Sequence, residues 1–199
     1  MNAFENIVAK FMGTRSDREL KSYRPLVSRI NGLESKMMAL SDEQLQAFTP
    51  QFREHTIGRK YLAITEHRVP DGSCTLKLRN EKRRVVLAGD REGMDARTDF
   101  RSIETDHDRV LVEATLFTGR THQIRVHLQG LGAPIIGDSN YGGLAAERLC
   151  LHAAYLEFTH PQSGRRLSFT ALPNQAFYRA GGLSMKAVTT ENLPWLSTK

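Results

Sequence analysis

Thr118-Gly119-Arg120-Thr121-His122-Gln123-Ile124-Arg125-Val126-His127-Leu128 is the stretch on which the reading of this chain turns. Val112, Ala114 and Leu116 lead into it with an apolar residue at every second position. Ile124, Val126 and Leu128 continue that alternation on the far side of a Thr-Gly break. Period-two alternation around a glycine reads as strand, turn and strand. Two arginines, two histidines and a glutamine sit inside this apolar frame. A strand and turn would deliver Arg120 and Arg125 together to one polar site.

Outward from this stretch, the alternation extends over most of the chain. Tyr61 to Ile64, Cys74 to Leu78 and Arg84 to Leu87 read as strands, broken by Pro70-Asp71-Gly72 and Gly89-Asp90. Residues 96–104 and 109–117 read as a strand pair turning at Asp106-His107-Asp108. Residues 125–131 are expected to begin as strand and continue as a short helix. Gly137-Asp138-Ser139-Asn140-Tyr141-Gly142-Gly143 is too polar and too rich in glycine to be anything but a loop, with Asp138 and Tyr141 shaping it and Gly137 and Gly142 supplying unusual backbone angles. Residues 151–158 and 166–170 complete a last strand pair, and residues 180–199 are expected to form a loosely held tail.

The first fifty residues follow the helical period instead. Phe4, Ile7, Val8 and Phe11 recur at helical spacing, and Leu20, Tyr23, Leu26, Val27, Ile30, Leu33 and Met37 form one apolar stripe, kinked at Pro25. Ser41 with Gln44 three residues on has the form of a capping box that opens a third helix. The fold class expected is therefore α+β: a helical segment, then a mostly antiparallel sheet. The domains expected are 1–52, 53–177 and a tail of 178–199.

At 199 residues, 28 Lys+Arg against 22 Asp+Glu give a net charge of +6, with a pI near 9.5. That balance favours an anionic partner, RNA or an acidic membrane surface. No stretch approaches the ~20 apolar residues of a membrane span, and no signal peptide is read at the start. Cys74 and Cys150 lack a pairing pattern and read as reduced thiols in a cytoplasmic protein. No phosphate loop of the form G-x-x-x-x-G-K-[ST] occurs, so ATPase activity is not implied.

Several ordered motifs carry a family resemblance. Arg59-Lys60-Tyr61-Leu62-Ala63, Ala96-Arg97-Thr98-Asp99-Phe100, the stretch Thr118 to Leu128, Gly132 to Gly142, and Leu151-His152-Ala153 with Phe158-Thr159-His160-Pro161 follow one another over residues 52–177. Together they resemble the RluA-type RNA pseudouridine synthases, matching their KxYxA, ARTxF, TGRTHQIRVHL, GHPIxGDxxYG and LHA…FxHP motifs. The resemblance implies the C-terminal half of a pseudouridine synthase fold. It also implies isomerisation of uridine in structured RNA, ribosomal or transfer, with no metal and no organic cofactor. Residues 4–52 resemble instead the N-terminus of SecA, the preprotein translocase motor, on Phe11 to Leu20, Ile30 to Glu34 and Leu40 to Leu45. That likeness implies a contact with a membrane or translocon through residues 4–40.

The pseudouridine synthase resemblance assigns catalytic places to Tyr61, which would stack on the base, and to Arg125, which would pair with the nucleophilic aspartate; Arg120 is the alternative holder of that role. The family's nucleophile lies in an HRLD-type motif, and His-Arg-Leu-Asp occurs nowhere in this sequence. Without it, covalent catalysis loses its first step, and the chain is expected to be inactive alone. Lys82, Arg83 and Arg84 at a hairpin tip, with His122 and Gln123, are the candidate RNA contacts; a solvated tip is the competing reading. His122, His127, His152 and His160 lack the spacing of a metal site and read as structural hydrogen-bonding residues.

Overall fold

The structure is a computed structural model that describes residues 56–82, 84–89, 92–103, 109–160, 163–184, 189 and 191–197. The helices expected over residues 1–52 lie outside them. So do Arg83 and the turn at residues 106–108.

The described residues form eight strands: β1 (Gly58–Thr65), β2 (Gly72–Cys74), β3 (Leu78–Glu81), β4 (Arg84–Leu87), β5 (Thr98–Ile103), β6 (Val110–Leu116), β7 (Leu151–Thr159) and β8 (Arg166–Thr170). Six build one sheet in the order β2-β5-β6-β1-β7-β8, and β3 and β4 form a separate hairpin. Every pairing among them is antiparallel. Helix α1 (Gln123–Gly130) follows β6, and helix α2 (Gln175–Gly181) follows β8. A 3-10 turn spans Pro194–Ser197.

The sheet has two distinct faces, and the register assigns residues to each. Tyr61 lies opposite Ala114, and Ala114 opposite Phe100. Side chains directly across an antiparallel ladder share a face, and so do residues two apart on one strand. Arg59, Tyr61, Thr98 and Phe100 therefore lie on one face, and α1 covers it, because Thr98 bonds to Gln123 of that helix. Lys60, Leu62, Glu113 and Arg101 occupy the other face, where Trp195 bonds to Glu113 and Gly181 of α2 approaches Ile64. With cover on both sides, β6 is buried almost along its whole length and loses the alternation of a one-faced strand. β7 carries one extra residue, Ala154, at the step opposite Lys60 and Tyr61, a local bulge.

The structure departs from the sequence reading at three places. Residues 74–78 are not one strand: Cys74 ends β2 in the main sheet, while Leu78 begins β3 and packs with Val85, Ala96, Val126 and Tyr141 in a second cluster. One apolar run thus serves two cores. The segment after the Thr-Gly break contains no strand and is helical from Gln123. Its alternating Ile124, Val126 and Leu128 are joined in burial by Gln123 and His127, four residues apart, which completes a helical face. The residues expected as a loose tail include Leu193 and Trp195, which are 0% and 8% exposed and belong to the main core.

Candidate functional site

β6 ends at Leu116, and the chain turns through residues 118–122 before α1 begins. Gln123 holds this turn. Its Oε1 accepts from Thr118 Oγ1 at 2.7 Å and from the Arg120 amide at 3.0 Å, while its Nε2 donates to Arg97 O and Thr98 Oγ1, both at 2.9 Å. The side chain is 3% exposed. Expected as an RNA contact, Gln123 has both ends of its amide committed inside the protein.

The Thr98 hydroxyl passes the chain of bonds to His127, whose Nδ1 lies 3.0 Å away and whose Nε2 lies 2.9 Å from Leu76 O. A carbonyl can only accept, so Nε2 carries the proton and Nδ1 accepts from the hydroxyl. Burial lowers the pKa of this ring against the opposing pull of the Leu76 carbonyl. His127 is thus a neutral, fully satisfied core residue.

Arg125 leaves α1 toward the loop after it. Its Nε and Nη2 donate to the two carboxylate oxygens of Asp138, each at 2.7 Å, with 14% and 0% side-chain exposure for the two partners. Such a paired geometry fixes the guanidinium plane as well as its position. The Tyr141 ring lies 4.7 Å beneath the guanidinium carbon. The loop that brings Asp138 here needs its glycines. Gly137 has φ 81°, and a Cβ there would lie 1.9 Å from Arg148 O.

The Tyr141 hydroxyl accepts from the Val85 amide at 3.2 Å and lies 2.9 Å from His122 Nδ1. It thereby ties the β3–β4 hairpin to the turn before α1. His122 precedes α1 with φ 54°, in the left-handed region that non-glycine residues seldom occupy. Burial, then the charge of Arg125, lower its pKa, while Asp138 opposes them. The ring is exposed to solvent.

Arg120 is exposed, and its Nε donates to Asp95 O at 3.0 Å. Tyr61 is partly buried against the main core. On the hairpin, Lys82 and Arg84 are exposed and bear no ion pair among the described residues, whereas their neighbour Arg79 is paired with Glu81 and Glu92. The arginines of the signature therefore do not share one partner: Arg125 is locked to Asp138, and Arg120 lies on the surface.

Two features escape the sequence reading. Sequence places Asp138 in a turn and does not connect it with Arg125, because thirteen residues and a loop separate them and no period links the two. Arg59 stands two residues before Tyr61 on the same face, and its Nε is buried without a hydrogen-bond partner among the described residues. The period of two would have placed it there. Both cysteines are buried and unpaired.

A family model described as RNA pseudouridylate synthase matches residues 37–130. An uncharacterized RNA pseudouridine synthase of Chloroflexus aurantiacus is 40% identical over 141 residues, covering 68% of this chain and 45% of that protein. The ribosomal large subunit pseudouridine synthase C of Vibrio cholerae is 34% identical over 172 residues, covering 79% of this chain and 54% of that protein. The chain thus spans about half the length of these relatives. Among solved structures, human RNA pseudouridylate synthase domain containing 4 superposes with a TM-score of 0.58 at 23% identity, covering 73% of this chain and 70% of that one. That likeness gives the fold: a pseudouridine synthase sheet, mostly antiparallel, with few helices. The SecA-like reading of residues 4–52, and the membrane or translocon contact drawn from it, receive no support from these relatives. The motifs in order, the sheet that presents them and the relatives that share them agree: over its C-terminal part this chain is a homologue of the RNA pseudouridine synthases, of the RluA type.

Proposed function

We propose that this chain, a pseudouridine synthase homologue, binds structured RNA, ribosomal or transfer, in the cytoplasm and does not isomerise uridine by itself. The observation that carries the second half is the state of Asp138. It is the carboxylate that the signature helix reaches, and both of its oxygens are held by Arg125 at 2.7 Å with no solvent exposure. A nucleophile must touch the sugar carbon, and a carboxylate with no exposed surface does not. The other described aspartates are no better placed. Asp71 accepts from the Ser102 amide, Asp99 from Ser73 and Arg97, and Asp95 is 86% exposed beside Lys77.

The remaining parts suit RNA binding. Tyr61 offers an aromatic face for a base taken out of its stack. Lys82 and Arg84 offer exposed cations for phosphates. Arg125, with Nε and Nη2 bonded to Asp138, keeps Nη1 unbonded among the described residues for a second anion. Its burial, at 14% side-chain exposure, favours it over the exposed Arg120 as the group that would hold the family's nucleophilic carboxylate.

The test is release of tritium from uridine-5-tritiated ribosomal and transfer RNA by the purified chain. None is expected above a no-protein control. Turnover that persists in protein freed of host synthases would overturn the reading and require another carboxylate in the role.

A further inference from the structure

We infer that Arg59 is an anion-binding residue, and that it takes a phosphate oxygen of the RNA strand whose base lies at Tyr61. This rests on the RNA-binding reading above. Arg59 and Tyr61 are two residues apart on β1, so their side chains leave the same face of the sheet about 6–7 Å apart. That is a spacing one nucleotide bridges, from its phosphate to its base. The face is the one that carries the signature turn, and Arg59 reaches that turn. A Cβ on Gly119 would lie 2.7 Å from Arg59 Nη1, so the glycine leaves the room in which the guanidinium sits.

Arg59 differs from the other arginines of the sheet. Arg101 is paired with Glu113 and Arg166 with Glu157, and Arg125 of the covering helix α1 is paired with Asp138. Arg59 has no carboxylate and no carbonyl among the described residues, although its Nε is shut off from water. Native proteins seldom leave a buried donor unsatisfied, least of all a charged one. A guanidinium whose Nε has no partner among the described residues, on the same face as an aromatic side chain, suits an anion. RNA supplies the anion and the base together, which a free carboxylate does not.

The experiment is fluorescence anisotropy with labelled single-stranded oligouridylate, across a salt series, on the unaltered chain and two variants. Arg59→Gln should weaken binding about tenfold, the loss of one charge-assisted hydrogen bond, and reduce the log–log salt slope by about 0.7, the share of one phosphate on a single strand. Gly119→Ala should reproduce most of that loss with the arginine still present, because its methyl meets only the movable end of Arg59. Melting temperatures of both variants should match the unaltered chain. Unchanged affinity and slope for Arg59→Gln, in a chain that does bind the probe, would overturn the assignment; a lowered melting temperature with unchanged affinity would overturn it too, and reveal a partner within the protein. No binding of the probe by the unaltered chain would instead bring down the RNA-binding reading on which the assignment stands.

Discussion

Two of the three nitrogens of Arg125 are spent on Asp138, and this one pair holds together three separate parts of the chain. It joins α1 to the loop of residues 137–143, and through the Tyr141 ring beneath the guanidinium and the Tyr141 hydroxyl it reaches Val85 on the hairpin. Removing one member of a buried ion pair leaves the other charged and desolvated, at a cost of about 3–5 kcal/mol. Asp138→Ala should therefore lose about that much stability in urea unfolding at neutral pH. Arg84→Ala, on the exposed hairpin, should stay within about 0.5 kcal/mol of the unaltered chain. Equal small losses in both variants would mean that the pair is solvated and holds nothing. Exposure separates the two arginines, and exposure is a property of the folded chain that no residue type carries. The same limit leaves Arg120 and Arg125 as equal candidates in the sequence, whereas the fold puts one on the surface and the other at 14% side-chain exposure.

At the scale of elements, what was legible followed from local period. β1, β4, β5, β6, β7 and β8 lie where apolar alternation places them. The loop of residues 137–143 was legible from its glycines, since Gly137 and Gly142 both have φ 81°. What failed was a choice between periods. Ile124, Val126 and Leu128 satisfy a strand, and only the burial of Gln123 and His127 turns them into a helix. Those two are polar, so a reading that looks for apolar residues passes over them; they are buried because the bonds through Thr98 satisfy them. The hairpin raises a question of function at this scale. Lys82 and Arg84 stand on a hairpin clamped by the Tyr141 hydroxyl, so on the proposed reading they would meet RNA as a fixed pair. Replacing both by alanine should weaken binding to unrelated RNA sequences alike and lower the salt slope by about 0.7 for each phosphate no longer neutralised. A loss confined to one sequence would show that the hairpin reads bases rather than backbone.

Across the whole described structure, one buried titratable group lies on each side of the sheet, and both respond to acid in the same sense. On the α1 side, His127 is buried and neutral, with its pKa lowered by burial below the usual 6.5. On the other side Glu113, 6% exposed, accepts from Lys60 at 2.8 Å, Trp195 Nε1 at 2.8 Å and Arg101 at 3.0 Å. Burial pushes its pKa up, but the bonds from Lys60 and Trp195 and the charge of Lys60 outweigh it, and the net shift is down from 4.5. In each case the unfolded chain binds a proton at a pH where the folded one does not, so stability rises with pH across that window. The histidine contribution is complete above 6.5 and is lost as pH falls from there toward the folded pKa. The glutamate contribution is complete above 4.5 and is lost below it. His122, whose pKa is also lowered, adds to the upper window. Melting temperature, followed by circular dichroism as the pH is lowered, should therefore fall in two stages. Glu113→Gln should flatten the lower stage and leave the upper one in place. Trp195→Phe should also weaken the lower stage, since it keeps the ring but removes one of the donors that hold the carboxylate ionised. A single decline beginning only below 4.5 in the unaltered chain would show that His127 is not held neutral, and would break the bond chain from Gln123 through Thr98 on which the signature turn depends.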